Sequence, residues 1–245
     1  TGNGRAVAIL DTGVETNHAF FGGRVVAEAC FSSNVTIYSA TSLCPGGVDT
    51  LTGPGAAAPC DNSVCGHGTH VAGIAAGGSN SLAGVARGAG IIAIQVFSKF
   101  TDPAICGGAG SCYLAFTSDI IAGLEHVLDL SSSYEVAAAN LSLGGGLYYT
   151  GSSCDADNIS TKLIIDLLRL ANIATVISAG NNGVREALSS PGCISSAVSV
   201  GSSTDSDGLS HFSNASSWLS LLAPGSGIYS SLPGGFGTLS GTSMA

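Results

Sequence analysis

Charged side chains are scarce in this chain, and basic ones are the scarcest. Only 9% of the 245 residues are charged, and 7 Lys and Arg stand against 16 Asp and Glu, which gives a formal net charge of −9. Nucleic acids and anionic membranes attract proteins through clustered basic side chains. The composition therefore argues against both, and we expect neither a nucleic acid nor a membrane as a partner.

Long apolar runs are also missing. The longest one, roughly residues 163–177, is interrupted by Asp166, Arg169 and Asn172. A helix that spans a bilayer needs about 20 consecutive apolar residues, so we expect no transmembrane segment. Hydrophobic residues still make up 45% of the chain. That content excludes a disordered chain and suffices for the core of one large domain.

What the chain does have is eight cysteines. They lie mostly in Gly-, Ser- and Pro-rich segments, and their even number favours disulfides formed in an oxidising compartment. A zinc site is the alternative, but no Cys-x-x-Cys pair occurs to support it. The sequence alone does not assign the pairs. Their positions make three of them plausible: Cys60 with Cys65, Cys106 with Cys112, and Cys154 with Cys193.

Strand-like apolar runs alternate with helix-like patterns along the chain. This alternation predicts a parallel sheet with helices on both faces, and ligands bind such sheets at the carboxyl ends of the strands. We expect a long loop at residues 31–64, between the second predicted strand and the first predicted helix. The predicted strands are 5–10, 25–29, 91–97, 136–143, 173–179, 198–201 and 219–223, and the predicted helices are 67–77, 114–130 and 160–171.

Three short blocks present an aspartate, a histidine and a serine in that order. They are Leu-Asp-Thr-Gly around Asp11, Gly-His-Gly-Thr-His around His67, and Gly-Thr-Ser-Met-Ala around Ser243. A serine hydroxyl is a poor nucleophile until an imidazole takes its proton, and a carboxylate orients and charge-balances that imidazole. Each block alone is weak evidence, because such residues are common in turns. The order separates this arrangement from trypsin-like and α/β-hydrolase orders.

Two alternative interpretations of single residues in these blocks must be considered, a metal site and a lipase-like serine. His67 and His70 could form a metal pair, but two ligands on one helical face are spaced His-x-x-x-His, and no Glu lies between them. We therefore interpret His70 as a packed helix residue that hydrogen-bonds to the backbone. Ser243 does not lie in the Gly-x-Ser-x-Gly turn of lipases and esterases, because Ala245 replaces the last Gly.

Taken together, the blocks resemble the signature sequences of the subtilisin-like serine peptidases, the subtilases. The matching stretches are 9–14, 66–73 and 241–245. Residues 140–145 (Asn-Leu-Ser-Leu-Gly-Gly) resemble the family's substrate-binding strand, and residues 178–183 (Ser-Ala-Gly-Asn-Asn-Gly) resemble its oxyanion block. The resemblance is ordered and covers nearly the whole chain. It implies an α/β fold with a parallel, mostly seven-stranded sheet and helices on both faces.

The resemblance also implies roles for four residues. Ser243 would attack the peptide carbonyl, His67 would accept its proton, and Asp11 would orient His67 and stabilise the imidazolium. The side-chain amide of Asn181 and the backbone N–H of Ser243 match the family's donors to the tetrahedral oxyanion. The resulting expectation is a serine endopeptidase that needs no cofactor for its chemistry.

The expected substrate is an extended protein or peptide. It would pair as an added strand with the backbone of Ser142, Leu143 and Gly144. The wall of the first specificity pocket would come from Ser178, Ala179 and Gly180.

Small residues in that wall predict an open, apolar pocket. We therefore expect broad specificity, with a preference for bulky uncharged side chains before the cut. The opposite edge of the cleft is expected at residues 107–111, stiffened by a Cys106–Cys112 disulfide.

The resemblance further implies secretion to the extracellular space, a propeptide partner in the precursor, and, in many members, structural calcium. Ser220 stands where many members have an Asp before the Ala-Pro-Gly turn. Because Ca²⁺ favours charged oxygen ligands, we assign no metal ligand, although structural calcium stays possible. The sequence thus leaves the identity of any metal ligand unknown.

Residues 1–245 are expected to form a single peptidase domain, truncated at both ends. Family members continue after the serine into a long helix through the sheet, and they carry an N-terminal segment and a propeptide. We expect this helix to hold Ser243, and activity to require it. The alternatives are an inactive fragment or non-catalytic peptide-binding relative, and a serine esterase that uses the same triad.

Overall fold

The chain folds into short strands interleaved with three α-helices, in a computed structural model that describes residues 1–60, 62–149 and 154–245. The helices are α1 (His67–Ala76), α2 (Thr117–Leu130) and α3 (Ile159–Leu170). The strands are β1 (Ala6–Asp11), β2 (Val25–Phe31), β3 (Ala40–Ser42), β4 (Thr50–Thr52), β5 (Gly90–Gln95), β6 (Ser98–Phe100), β7 (Cys112–Leu114), β8 (Val136–Leu141), β9 (Gly145–Tyr148), β10 (Ala174–Ser178), β11 (Leu188–Ser190), β12 (Val198–Ser203), β13 (Leu221–Pro224), β14 (Ile228–Leu232) and β15 (Gly235–Leu239).

One sheet organises the molecule. Its strand order is β13-β12-β10-β8-β1-β5-β2-β4, and every neighbouring pair is parallel except β2 and β4. The predicted α/β class with a seven-stranded parallel sheet is therefore confirmed, with one short antiparallel strand added at its edge. A parallel sheet must be covered on both faces, and the two cores of the molecule lie accordingly.

Strand β1 contributes to both cores because its side chains alternate between the faces. Leu10 packs in the core with residues of α2 and α3, whereas Ile9 packs in the core with Val71 and Ala72 of α1. The helices thus cover opposite faces, as predicted. None of the helices among the described residues is both long enough and apolar enough to cross a membrane.

Several short strands were missed by the sequence pattern. The predicted loop 31–64 contains β3 and β4, and α2 begins at Thr117 because residues 112–114 pair with β6 instead. Two antiparallel pairs, β9 with β11 and β14 with β15, had no predicted counterpart. Strands of three to five residues in Gly- and Ser-rich segments carry too little apolar alternation to be recognised.

All eight cysteines are paired in disulfides. The three plausible pairings are confirmed, and the fourth bridge joins Cys30 of β2 to Cys44. The alternative of a cysteine-ligated zinc site is therefore wrong. Each bridge closes a loop, which restricts the unfolded chain and so stabilises the fold.

Candidate active site

Strand ends of the main sheet bring the predicted site residues to one edge. Asp11 is the last residue of β1, Ser142 follows the neighbouring β8, and Asn181 lies three residues beyond the next strand, β10. Because these strands are parallel and adjacent, their carboxyl ends meet at the same edge of the sheet. The expected convergence of the motifs is therefore present in the fold.

A buried carboxylate holds the imidazole of His67. Asp11 is 0% exposed, and its Oδ1 accepts a hydrogen bond from Nδ1 of His67 at 2.8 Å. The same oxygen accepts the backbone N–H of Thr12 at 2.7 Å and the Thr12 hydroxyl at 3.1 Å. These donors fix the carboxylate, so Nδ1 of His67 carries the proton and Nε2 is left as its basic atom.

Helix α1 positions His67, which is its first residue. The backbone N–H of Gly68 donates to the Thr12 hydroxyl at 3.1 Å, which ties the first turn of the helix to the end of β1. A Cβ at Gly68 would overlap the carbonyl oxygen of Gly13. Glycine at position 68 therefore permits the close approach that brings His67 within reach of Asp11.

The pKa of His67 is raised above its ordinary value. Burial is the largest single influence and lowers this pKa. Attraction to the Asp11 carboxylate and the hydrogen bond between the two side chains both raise it, and together they outweigh burial. An imidazole that is readily protonated suits a group that must accept a proton and hold it briefly.

Ser243 lies in the turn after β15 and faces the same cleft as His67. Its hydroxyl donates to the carbonyl oxygen of Ser142 at 3.1 Å, so its proton is not directed at His67 here. The Ser142 hydroxyl in turn donates to the carbonyl oxygen of Ser243 at 2.9 Å, and Asn140 Nδ2 donates to that hydroxyl at 3.0 Å. Hydrogen bonds of a catalytic serine commonly form only when substrate is present.

Asn181 is oriented by the residue that precedes Ser243. Its Oδ1 accepts the backbone N–H of Thr242 at 2.8 Å and the Thr242 hydroxyl at 3.1 Å. A backbone N–H can only donate, so the oxygen of the amide must face Thr242, and Nδ2 remains as a donor on the cleft side. Asn181 is exposed and lines the cleft beside Ser243.

His67, Asn181 and Ser243 all line one cleft, which has a volume of about 1410 Å³. The predicted substrate residues Ser142, Leu143, Gly144, Ser178 and Gly180 line it, whereas Ala179 is fully buried behind the wall. The expected rim at residues 107–111 is wrong, because the lining on that side comes from Tyr113, Leu114 and Ala115. Among the described residues that line the cleft there is no Asp, Glu, Lys or Arg.

Polar side chains at one end of the cleft correct the expectation of a purely apolar pocket. We define this polar end as Asn158, Thr161, Ser178, Ser189 and Ser190, all of which line the cleft. Asn158 and Thr161 come from the start of α3, far in sequence from every recognised block, so no motif pointed to them. Thr12 and Thr242 were also unassigned, although their places beside Asp11 and Ser243 offered a signal.

His70 has the packing role expected of it. It is 0% exposed, and its Nε2 lies 3.1 Å from the carbonyl oxygen of Ile228 and 3.2 Å from that of Gly237. Burial lowers its pKa, and the hydrogen bonds to the two carbonyls only partly oppose this. The residue fastens α1 to the hairpin of β14 and β15.

The expectation about structural calcium can be compared with the side-chain clusters of the described residues. No group of three or more His, Cys, Asp or Glu side chains there is placed to hold a metal ion. The hydroxyl of Ser220, at the position considered above, lies 3.3 Å from that of Ser199 and accepts the Ser199 backbone N–H. Two serine hydroxyls beside each other do not provide the charged oxygen ligands that Ca²⁺ favours. The reaction proposed below involves no metal.

Comparison with known sequences gives a consistent result. The model of the subtilase family matches residues 2–245. The chain is 34% identical over 245 residues to alkaline serine exoprotease A of Vibrio alginolyticus, covering all of this chain and 36% of that protein. It is 34% identical over 248 residues to subtilisin-like serine protease AsES of Sarocladium strictum, covering all of this chain and 51% of that protein. The chain thus spans between about a third and a half of these curated relatives.

Comparison with solved structures agrees. The crystal structure of a cold-adapted subtilisin-like serine proteinase superposes with a TM-score of 0.67 at 32% sequence identity. The match covers all of this chain and 71% of that one. The fold described above is therefore one already seen in a subtilisin-like serine proteinase.

Proposed function

This chain belongs to the subtilase family, and we propose that it supplies the catalytic machinery of a secreted serine endopeptidase. The observation that carries the proposal is the 2.8 Å hydrogen bond between Asp11 and His67 beside a cleft that also exposes Ser243 and Asn181. Four disulfides support an oxidising, extracellular location. A propeptide in the precursor remains part of the proposal.

The proposed reaction begins when substrate displaces the Ser243 hydroxyl from Ser142. Nε2 of His67 takes the hydroxyl proton as Oγ attacks the scissile carbonyl, and the Asp11 carboxylate stabilises the imidazolium that forms. The carbonyl oxygen becomes an oxyanion, and Asn181 Nδ2 and the Ser243 backbone N–H donate to it. His67 then gives its proton to the leaving amine, which leaves an acyl enzyme on Ser243. Water releases the acid by the same route in reverse.

Substrate would lie in the cleft as an extended strand. The backbone of residues 142–144 follows the end of β8 and lines the cleft, where it can pair with a peptide, although the carbonyl oxygens of Ser142 and Leu143 each already accept one side-chain hydroxyl. The absence of ionisable Asp, Glu, Lys and Arg side chains from the described lining supports a preference for uncharged side chains before the cut. An ion placed there would lose its hydration without gaining a partner.

The proposal is tested with the protein expressed from its complete gene. We expect cleavage of the anilide bond in an N-terminally blocked tetrapeptide anilide and no turnover of a long-chain ester. Binding of the peptide without cleavage would instead favour a non-catalytic peptide-binding relative. Faster turnover of the ester than of the anilide would favour an esterase.

Replacing Asn181 with alanine is expected to lower kcat roughly 100- to 1000-fold with little change in KM. This range is the one measured when a subtilisin loses the corresponding donor, and we adopt it for a fellow member of the family. The physical reason is that the oxyanion exists only in the transition state, so its donor contributes little to substrate binding. The control is Asn17→Ala, which removes another exposed amide that does not line the cleft. A rise in KM at unchanged kcat would contradict the assigned role.

Removing the Cys106–Cys112 disulfide by Ser replacement of both residues is expected to raise KM roughly fivefold while kcat stays within about twofold. The bridge ends at β7, whose residues Tyr113 and Leu114 line the cleft. Without the bridge, Tyr113 and Leu114 are more mobile in the free enzyme. Substrate binding must then order them, which weakens binding. Steady-state kinetics with a peptide anilide measures the effect. The matched control removes the Cys30–Cys44 disulfide, which should leave KM unchanged. An unchanged KM in the Cys106–Cys112 variant would refute the proposed role of that bridge in substrate binding.

A further inference from the structure

One buried hydroxyl in the cleft wall, that of Thr161, has no hydrogen-bond partner among the described residues. Thr161 is 3% exposed, lines the cleft, and makes no hydrogen bond with any residue that the structure describes. A threonine in a helix can turn its hydroxyl to the carbonyl oxygen three or four residues earlier. Thr161 does not, which leaves both its donor and its acceptor capacity facing the cavity.

The other members of the polar end are engaged with the protein itself. The Ser190 hydroxyl donates to Asn158 Oδ1 at 2.8 Å, and Asn158 Nδ2 donates to the carbonyl oxygen of Cys154 at 3.0 Å. The Ser178 hydroxyl donates to the carbonyl oxygen of Leu143 at 3.2 Å. Ser189 Oγ accepts Asn214 Nδ2 at 3.3 Å. Thr161 therefore stands out as the member without a protein partner.

Thr161 shares its side of the cleft with the proposed first specificity pocket. Ser178 belongs to the predicted wall of that pocket, and Gly144 lies so close to the β11 strand that an added Cβ would come within 2.9 Å of the carbonyl oxygen of Ser190. Asn158, three residues before Thr161 and therefore on the same side of the helix start, accepts a hydrogen bond from Ser190 of this strand. Both Asn158 and Thr161 line the cleft with these wall residues, so we infer that a side chain bound between the walls brings its tip to Thr161.

We propose that Thr161 determines specificity by hydrogen-bonding the uncharged polar tip of the side chain before the scissile bond. Tyrosine and glutamine would be favoured over phenylalanine and methionine, which have similar shapes and no such tip. This inference rests on the proposed peptidase function and narrows its substrate class. An apolar tip would seal the Thr161 hydroxyl away from water without a partner, whereas a polar tip satisfies it.

The test compares four tetrapeptide anilides that differ only in the last residue: tyrosine, phenylalanine, glutamine or methionine. With the intact enzyme, kcat/KM is expected to be higher for tyrosine than phenylalanine and for glutamine than methionine. Thr161→Val keeps the shape and removes the hydroxyl, so at least one of these ratios should fall roughly five- to tenfold, the worth of one hydrogen bond. Thr161→Ser retains the hydroxyl and should retain the ratios.

Thr175→Val is the matched control. Thr175 is 2% exposed and its hydroxyl also lacks a partner among the described residues, but it does not line the cleft. Both ratios should be unchanged in this variant. If all four anilides are cleaved and Thr161→Val alters neither ratio, the inference is overturned while the peptidase function stands.

Other outcomes are equally decisive. If none of the four anilides is cleaved by the intact enzyme, the proposed function itself fails, and this inference falls with it. If Thr161→Val does not fold, the intact enzyme decides, because a preference for phenylalanine and methionine over their polar counterparts overturns the inference.

Discussion

Replacing Ser243 with alanine will lower kcat on a peptide anilide about a millionfold. That is the loss measured for the corresponding serine of a subtilisin, and the same machinery is proposed here. Without the hydroxyl, His67 has no nucleophile to deprotonate, and only binding and oxyanion donors remain. KM should change little, because the Ser243 side chain bonds only to the Ser142 carbonyl in the free protein. Steady-state kinetics on the purified variant measures both constants.

Two further measurements make this result specific to Ser243. A fluorophosphonate probe should label the intact enzyme on Ser243 alone, as read by peptide mass spectrometry, and should not label Ser243→Ala. The matched control, Ser240→Ala, removes an exposed hydroxyl three residues away that accepts only the Gly227 N–H. Activity within about tenfold of the intact enzyme in Ser243→Ala, or a label on another serine, would disprove the assignment.

The sequence predicted the fold because its largest elements carry strong patterns. Strand β1 and helix α3 lie within one residue of their predicted bounds, since a buried strand and an amphipathic helix leave clear apolar periods. Helix α1 also lies within one residue of its predicted bounds, although it consists mostly of small residues. The family resemblance predicted the proximity of Asp11 and His67, whose 2.8 Å bond joins residues 56 positions apart. No local pattern contains that information.

The polar end of the cleft shows what the sequence left out. Thr161 lies near the start of α3, which meets the β9–β11 pair through hydrogen bonds of its cap residue Asn158, and that pair is formed by segments too short to carry an apolar period. A threonine inside an amphipathic helix looks like an ordinary core position until the packing is known. Small wall residues therefore suggested an apolar pocket, and only tertiary structure placed hydroxyl and amide groups at its end.

Asp11→Asn will lower kcat strongly, but by less than the roughly ten-thousandfold loss known for the same change in another serine protease, where the asparagine also leaves the histidine in the wrong tautomer. Asn Oδ1 must still face the Thr12 N–H, so the hydrogen bond from His67 Nδ1 survives and the geometry is retained. What disappears is the negative charge that stabilises the imidazolium in the transition state. The new amide nitrogen takes the place of Asp11 Oδ2, which is buried without a partner, so stability should fall as well.

The pH dependence separates this electrostatic role from a structural one. Asp11 raises the pKa of His67 against the lowering effect of burial. Removing its charge should move the acidic limb of kcat/KM to lower pH, because His67 then loses its proton more easily.

A raised histidine pKa also stabilises the fold below the unfolded-state pKa, and this contribution is lost as pH rises through the folded-state value. The Tm difference between the intact enzyme and Asp11→Asn should therefore be larger near about pH 5 than near about pH 9.

Asp119→Asn is the matched control for both readouts. Asp119 is a buried carboxylate that accepts the Ser33 N–H at 2.8 Å and the Ser33 hydroxyl at 2.7 Å, and it does not line the cleft. Its replacement should lower Tm while leaving kcat and the acidic limb in place. If Asp11→Asn behaves in the same way, Asp11 supports the fold and not the imidazolium. A drop in kcat together with a downward shift of the acidic limb is the outcome that requires its charge beside His67.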